Sequence, residues 1–263
     1  LHDLLVDATR IRLRADVPVG AYLSGGLDSS VILSLIHHHT DTPLRTFSIG
    51  FEHAGLDESE YQQQMINHLK TDHSRVLCTT AQIGEGFLTT LWHTEMPILR
   101  MAPVPMRLLS ESVRAQQFKV VLTGEGADEV LGGYDIFKEG KIRQFWARHP
   151  DSEWRAQLFK KLYPYLELPP GKASAYFRNF FGVGLDRPEH PGFAHFPRWD
   201  TTAKAKLFFS EALQAQLREN AQVRLLESLP PAISSWSPFQ RSQYIEAKVL
   251  MGAYLLCSQG DRM

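Results

Sequence analysis

Along the first part of the chain, short runs of alternating apolar residues are separated by stretches with helical spacing. Val17, Val19, Ala21 and Leu23 alternate as a strand does, and Pro18 marks its start. Before it, Leu1, Leu4, Leu5, Ala8 and Ile11 recur at helical spacing, with Asp7, Arg10, Arg12 and Arg14 mostly off that face. This predicts an opening helix that packs beside the first strand. Val31-Ile32-Leu33 opens a second helix, and the run 44–51 (LRTFSIGF) predicts a second strand. Tyr61, Met65, Ile66 and Leu69 predict a helix entered through Asp57-Glu58-Ser59, and 74–77 a weak third strand. After a helical stretch around Gly86–His93, the segment Met101–Pro105 reads as broken by its prolines. Met106–Gln116 then reads as a helix, and Phe118–Leu122 (FKVVL) as the strongest late strand.

This order predicts an α/β fold, a doubly wound parallel sheet with helices on both faces. Ligands of such sheets sit beyond the strand carboxyl ends. From about Lys138 the texture becomes aromatic-rich and helical, with loops expected at Leu168–Gly171 and Gly182–Pro197. The expected division is a nucleotide-binding core over 1–140 and a helical extension over 141–263, incomplete at its C-terminus. Phe177, Phe180, Phe181 and Trp199 read as core of the helical layer, with a ligand groove as the alternative.

Composition narrows the class. With 263 residues, 43% hydrophobic and 22% charged, the chain can bury a sizeable core. A net charge of -1 gives no broad basic footprint, so a small ligand is expected rather than nucleic acid. Cys78 and Cys257 have no CxxC or Cys/His spacing, which speaks against a zinc site or disulfide scaffold and suits a reducing, cytoplasmic compartment. No apolar run approaches the ~18 residues of a membrane span, so no membrane partner is expected. His37-His38-His39 face different directions on a helix and read as a solvated helix end.

The chemistry begins at Gly20–Ser30, GAYLSGGLDSS, a strand running through a glycine-rich turn into a helix that opens with hydroxyls. Backbone donors, hydroxyls and the helix dipole converge there on one anion. The lysine of a GxxxxGK[ST] loop is absent and Asp28 stands inside the turn, which requires a metal between carboxylate and polyphosphate. A plain Ser/Asp-capped connection is the alternative reading. A second segment, TGEGADEVLGGY (123–134), follows FKVVL and sets Glu125, Asp128 and Glu129 at a strand's carboxyl end, in an expected buried crevice. Carboxylates buried there need a cation. Mg²⁺ held by Asp28 and Asp128 fits the hard-oxygen preference of that ion, with an acidic helix cap as the alternative.

The SGGLDSS string resembles the signature of the PP-loop ATP pyrophosphatases. Together with TGEGADEVLGGY, LRTFSIGF, LDESEY and WHTEMPILRMAPVPM, it makes the chain similar to the synthetase domain of glutamine-dependent asparagine synthetases. The resemblance implies a PP-loop sheet with a C-terminal helical layer and two substrates, ATP and aspartate. It implies β-aspartyl-AMP with release of pyrophosphate, then attack by ammonia. It places Leu23 and Ile49 beside the adenosine, Thr123 and Gly124 on the nucleotide, and Ser24, Gly25, Gly26, Ser29 and Ser30 on the phosphates. Asp28 and Asp128 match Mg²⁺ positions, and Glu125 the glutamate of intermediate formation and amine attack; Asp57 and Glu58 would help order the acceptor pocket. The family's glutaminase half and its later phosphate-contacting lysine have no counterpart here. The expectation is therefore a synthetase domain truncated at both ends, with little activity alone. Acceptance of another carboxylate, as in β-lactam-forming relatives, and nucleotide binding without turnover stay open, as does a homodimer.

Overall fold

The computed structural model describes residues 1–53, 55, 57–166, 172–217, 220–260 and 262–263; the loop expected at Leu168–Gly171 lies outside them. By its contacts the chain divides into two compact units, Leu1–Ala127 with Met251–Met263, and Asp128–Leu250. The division at residue 140 follows composition, whereas this one follows contacts.

The first unit runs α1 (His2–Arg12), β1 (Val19–Tyr22), α2 (Leu27–His39), β2 (Arg45–Phe51), α3 (Ser59–Leu69), β3 (Asp72–Cys78), α4 (Thr80–Thr94), α5 (Pro103–Ala115) and β4 (Val120–Leu122). The strands form one parallel sheet in the order β3-β2-β1-β4. Ala21 and Leu23 pack with Leu33, Ile36 and Leu69 of α2 and α3. On the opposite face Phe47 packs with Leu109 and Val113 of α5, beside Tyr22 and Ile49. The sheet is therefore covered on both faces, as the alternating pattern predicts. Strand order reverses direction at β1, so the carboxyl ends of β1 and β4 flank the switch point where such sheets take ligands.

Three details differ from the sequence expectation. Helix α1 forms, but Leu1, Leu4 and Ile11 are exposed, and Val6 and Thr9 are buried instead. Apolar residues occupy more than one face of α1, and packing against α2 selects which is covered. Prolines do not break 101–105: Pro103 stands at the start of α5 and Pro105 lies in its first turn, where a missing N–H leaves no intrahelical bond unmade. The weak third strand is a full seven residues, Asp72–Cys78. Its His73 explains why polar Thr46 and Ser48 are buried in β2: the ring nitrogens bond Thr46 Oγ1 at 2.8 Å and Ser48 Oγ at 3.0 Å. Burial, aided by Arg45 and Arg75, holds the His73 pKa below its ordinary value.

The segment 251–263 belongs to this unit. Tyr254 Oη accepts from Leu99 N–H at 2.9 Å, and Arg262 pairs with Glu95.

The second unit is helical. Phe159, Phe177 and Phe181 pack with Trp146, Phe193 and Phe196 in its core, so the aromatics are core rather than groove. The turn-rich segment before Pro197 packs onto the helix α7 (Asp135–Ala147), which follows the short α6 (Ala127–Leu131). Fully buried Arg143 holds it, donating to the carbonyls of Phe181 (2.9 Å), Val183 and Phe193. Burial pulls the Arg143 pKa down to about 10, still high enough to keep its charge. Among the described residues no helix is long and apolar enough to cross a membrane.

Candidate active site

The turn after β1 is a closed set of hydrogen bonds. Ser24 Oγ and Ser29 Oγ lie 2.9 Å apart, Gly26 N–H donates to Ser24 Oγ at 3.1 Å, and Ser30 Oγ donates to the Gly26 carbonyl at 2.7 Å. Gly25 has φ +91°, and a Cβ there would meet the Glu58 carbonyl at 3.1 Å and Tyr61 Cβ at 3.2 Å. Only glycine combines that dihedral with so close an approach of α3. Asp28 stands in the first turn of α2, partly buried, near the positive end of the helix dipole.

The second glycine-rich turn reaches the first. A Cβ on Gly124 would lie 2.8 Å from Asp28 Cβ and 3.0 Å from Ser29 N, so only a glycine lets the Thr123-Gly124 turn touch the start of α2. Thr123 Oγ1 accepts from the Glu125 N–H at 3.3 Å. Register explains the meeting: Ala21 pairs with Leu122, so both turns leave adjacent strands at the same level.

The three carboxylates do not share one buried crevice. Glu125 is exposed, Asp128 half-buried, and Glu129 buried at 1% exposure, accepting from Tyr134 Oη at 2.9 Å. The short α6 separates them by turning Glu129 inward. Asp28 lies in the first unit and Asp128 in the second. Among the described residues no three His, Cys, Asp or Glu side chains form a ready metal cage.

Leu23 and Ile49 pack into cores on opposite faces of the sheet, and Leu23 is 1% exposed, so any contact of Leu23 with a nucleotide is through its main chain. Asp57 is tied to structure: it accepts from the Phe51 N–H, the Ser59 hydroxyl and Arg75. The Ser59 hydroxyl above all, with the Phe51 amide and Arg75, holds its carboxyl below the usual range.

One residue escaped the sequence reading. Gln62, 3% exposed, donates through Nε2 to the carbonyls of Ser24 (3.2 Å) and Ile49 (3.1 Å), bracing the turn after β1 against the end of β2. The available signal was its place in the 62–65–66–69 stripe of α3, a polar residue at a core position.

These features define an α/β protein with two glycine-rich turns meeting at a sheet switch point. The chain belongs to the asparagine synthase family, whose sequence profile matches residues 1–263. Asparagine synthetase B [glutamine-hydrolyzing] of Escherichia coli is 33% identical over 153 residues, covering 52% of this chain and 27% of that protein. The amidase chry2 of Gibberella zeae is 26% identical over 297 residues, covering 100% of this chain and 42% of that protein. The chain thus spans less than half the length of these curated relatives. An NH3-dependent NAD synthetase from Campylobacter jejuni superposes with a TM-score of 0.39 at 13% identity over 94% of this chain and 93% of that one.

Proposed function

We propose that the chain carries the ATP-dependent, amide-forming step of a ligase. The observation that supports this most is the contact of Gly124 with Asp28 and Ser29, which joins a hydroxyl-rich phosphate turn to a turn ending in carboxylates. In this reading Ser24, Gly25, Gly26, Ser29 and Ser30 bind the phosphates of ATP. Leu23, Ile49, Thr123 and Gly124 line the nucleoside through the strand ends. A carboxylate oxygen of aspartate attacks the α-phosphorus, pyrophosphate leaves, and ammonia then attacks the β-carbonyl carbon of β-aspartyl-AMP. AMP leaves with the bridging oxygen, asparagine forms, and the Glu125 carboxylate takes the proton shed by the attacking nitrogen. In the whole protein a separate glutaminase domain would supply the ammonia.

The donors near the turn fit a magnesium ion, because they are carboxylate and hydroxyl oxygens without sulfur or imidazole. Asp28 would hold Mg²⁺, which would supply charge neutralisation for the leaving pyrophosphate. Gln62 keeps the turn in register with β2.

A second reading, with another carboxylate in place of aspartate, is favoured by one observation. The amidases align over 98–100% of the chain, whereas the synthetase of E. coli aligns over 52%.

The test supplies the whole protein, of which this chain is the synthetase part, with MgATP, aspartate and ammonia and identifies products by mass spectrometry. AMP, pyrophosphate and asparagine are expected. Glu125→Gln should keep ATP affinity and lose product by roughly 10²-fold or more, the scale of positioned acid–base catalysis. AMP formed with other carboxylates but not aspartate would favour the second reading, and ADP with phosphate would overturn both.

A further inference from the structure

The helical unit holds a cavity of about 290 Å³, walled by α7, the turns at 190–194 and the start of the helix Pro238–Ile245. We propose that it is a binding site for a small amphipathic carboxylate, one flat apolar body bearing a single acid group. The size lies at the lower edge of the ~300–1,000 Å³ typical of small-molecule sites, which suits one ring and a short chain.

Its walls are aromatic and fixed. Phe137 and Phe239 meet edge to face at 5.3 Å, and the Phe193 and Phe145 rings are backed by the guanidinium groups of Arg143 (4.2 Å) and Arg155 (4.1 Å). Such rings offer a preformed slot for a flat body.

Its charge is one-sided. Among the described residues no Asp or Glu lines the cavity, while Lys141, Arg148 and Arg241 do. Arg241 is committed: it donates to the carbonyls of Ile233, Ser234 and Glu189 and pairs with the Glu189 carboxylate. Lys141 and Arg148, both exposed, make no ion pair or side-chain hydrogen bond among the described residues. Positions 137, 141, 145 and 148 fall on one face of α7 and its C-terminal end, so the same face that carries two rings carries both cations. A third polar group, His190, accepts the Gly192 N–H at Nδ1 (3.0 Å). Burial, then Arg187, lowers its pKa, so the ring is neutral near pH 7 and carries its proton on Nε2, a donor suited to a carboxylate oxygen. Two uncommitted cations and a neutral donor around an aromatic slot select an anion with an apolar body over a neutral apolar molecule or a bare anion.

Calorimetric titration of the whole chain with 3-phenylpropanoate, 3-phenylpropanol and acetate tests this. The acid should bind saturably, with the alcohol and acetate each weaker by roughly tenfold or more, the worth of a charge-assisted hydrogen bond on one side and of a buried ring on the other. Lys141→Gln with Arg148→Gln, both exposed substitutions that keep an aliphatic stem, should reduce acid affinity by about tenfold and leave alcohol affinity unchanged. Absence of saturable acid binding, equal affinity for acid and alcohol, or an unchanged acid affinity in the double variant would each overturn the proposal.

Discussion

The two units use hydrogen-bonded polar groups in opposite ways. In the turn after β1, the Ser24 and Ser29 hydroxyls bond to each other, and the Ser29 and Ser30 hydroxyls donate to the Gly26 carbonyl. An arriving phosphate oxygen can replace such a bond one for one, so the turn is satisfied empty and can be satisfied loaded. In the helical unit Arg143 reaches three carbonyls, and Glu139, 1% exposed, takes Arg198 and Tyr163. Burial and the Glu139 contact push the Tyr163 pKa far above the phenol range, so the hydroxyl remains a donor. Those bonds hold chain segments together, and breaking one leaves a buried group unsatisfied. Availability to a ligand, rather than polarity, separates a site from a strut.

The sharpest break of this comparison is at Arg143. Arg143→Met keeps volume but strands three carbonyls, and it should lower unfolding free energy by about 3–5 kcal/mol in urea denaturation followed by circular dichroism. A loss under about 1 kcal/mol would mean the arginine is not a strut.

Gly25 probes the other side. Gly25→Ala forces a side chain into φ +91° and against α3, which should cost about 1–2 kcal/mol of stability and more than about tenfold in ATP affinity. Gly26→Ala is the internal control. A Cβ there meets only Ser24 Oγ at 3.2 Å, so it should be milder in both measurements. Equal effects at the two positions would remove the claim that the close approach of α3 shapes the turn.

The smallest effect is at His73. Its pKa is lower folded than unfolded, so the unfolded chain binds the proton first as pH falls. Stability is therefore complete above the ordinary value of 6.5 and declines as pH drops from 6.5 toward the folded value. Thermal melts from pH 7.5 to 5 should show that decline, and His73→Gln should flatten it. An unchanged slope in the variant would place the responsible group elsewhere.

The two glycine-rich turns of the candidate site were legible because each is written in adjacent residues. The SGGLDSS turn and TGEGADE follow strands directly, so strand–turn–helix grammar located both. Sequence missed what depends on distant partners. Gln62 acts on Ser24, 38 residues away, and Arg143 on Phe193, 50 residues away; neither spacing leaves a periodic trace. The covered face of α1 was misassigned because apolar residues on two faces made the choice a matter of packing. Glu125, expected in a buried crevice with its neighbours, is exposed because the turn before α6 points successive residues in different directions.

The central claim is that the turn after β1 binds the phosphates of ATP with a metal at Asp28. Calorimetric titration with ATP, with and without Mg²⁺, on the wild type and Asp28→Asn tests it most directly. Tighter binding with Mg²⁺ is expected in the wild type, and the variant should lose that gain while keeping its metal-free affinity. Equal losses with and without the metal, or no saturable ATP binding by the wild type, would contradict the account.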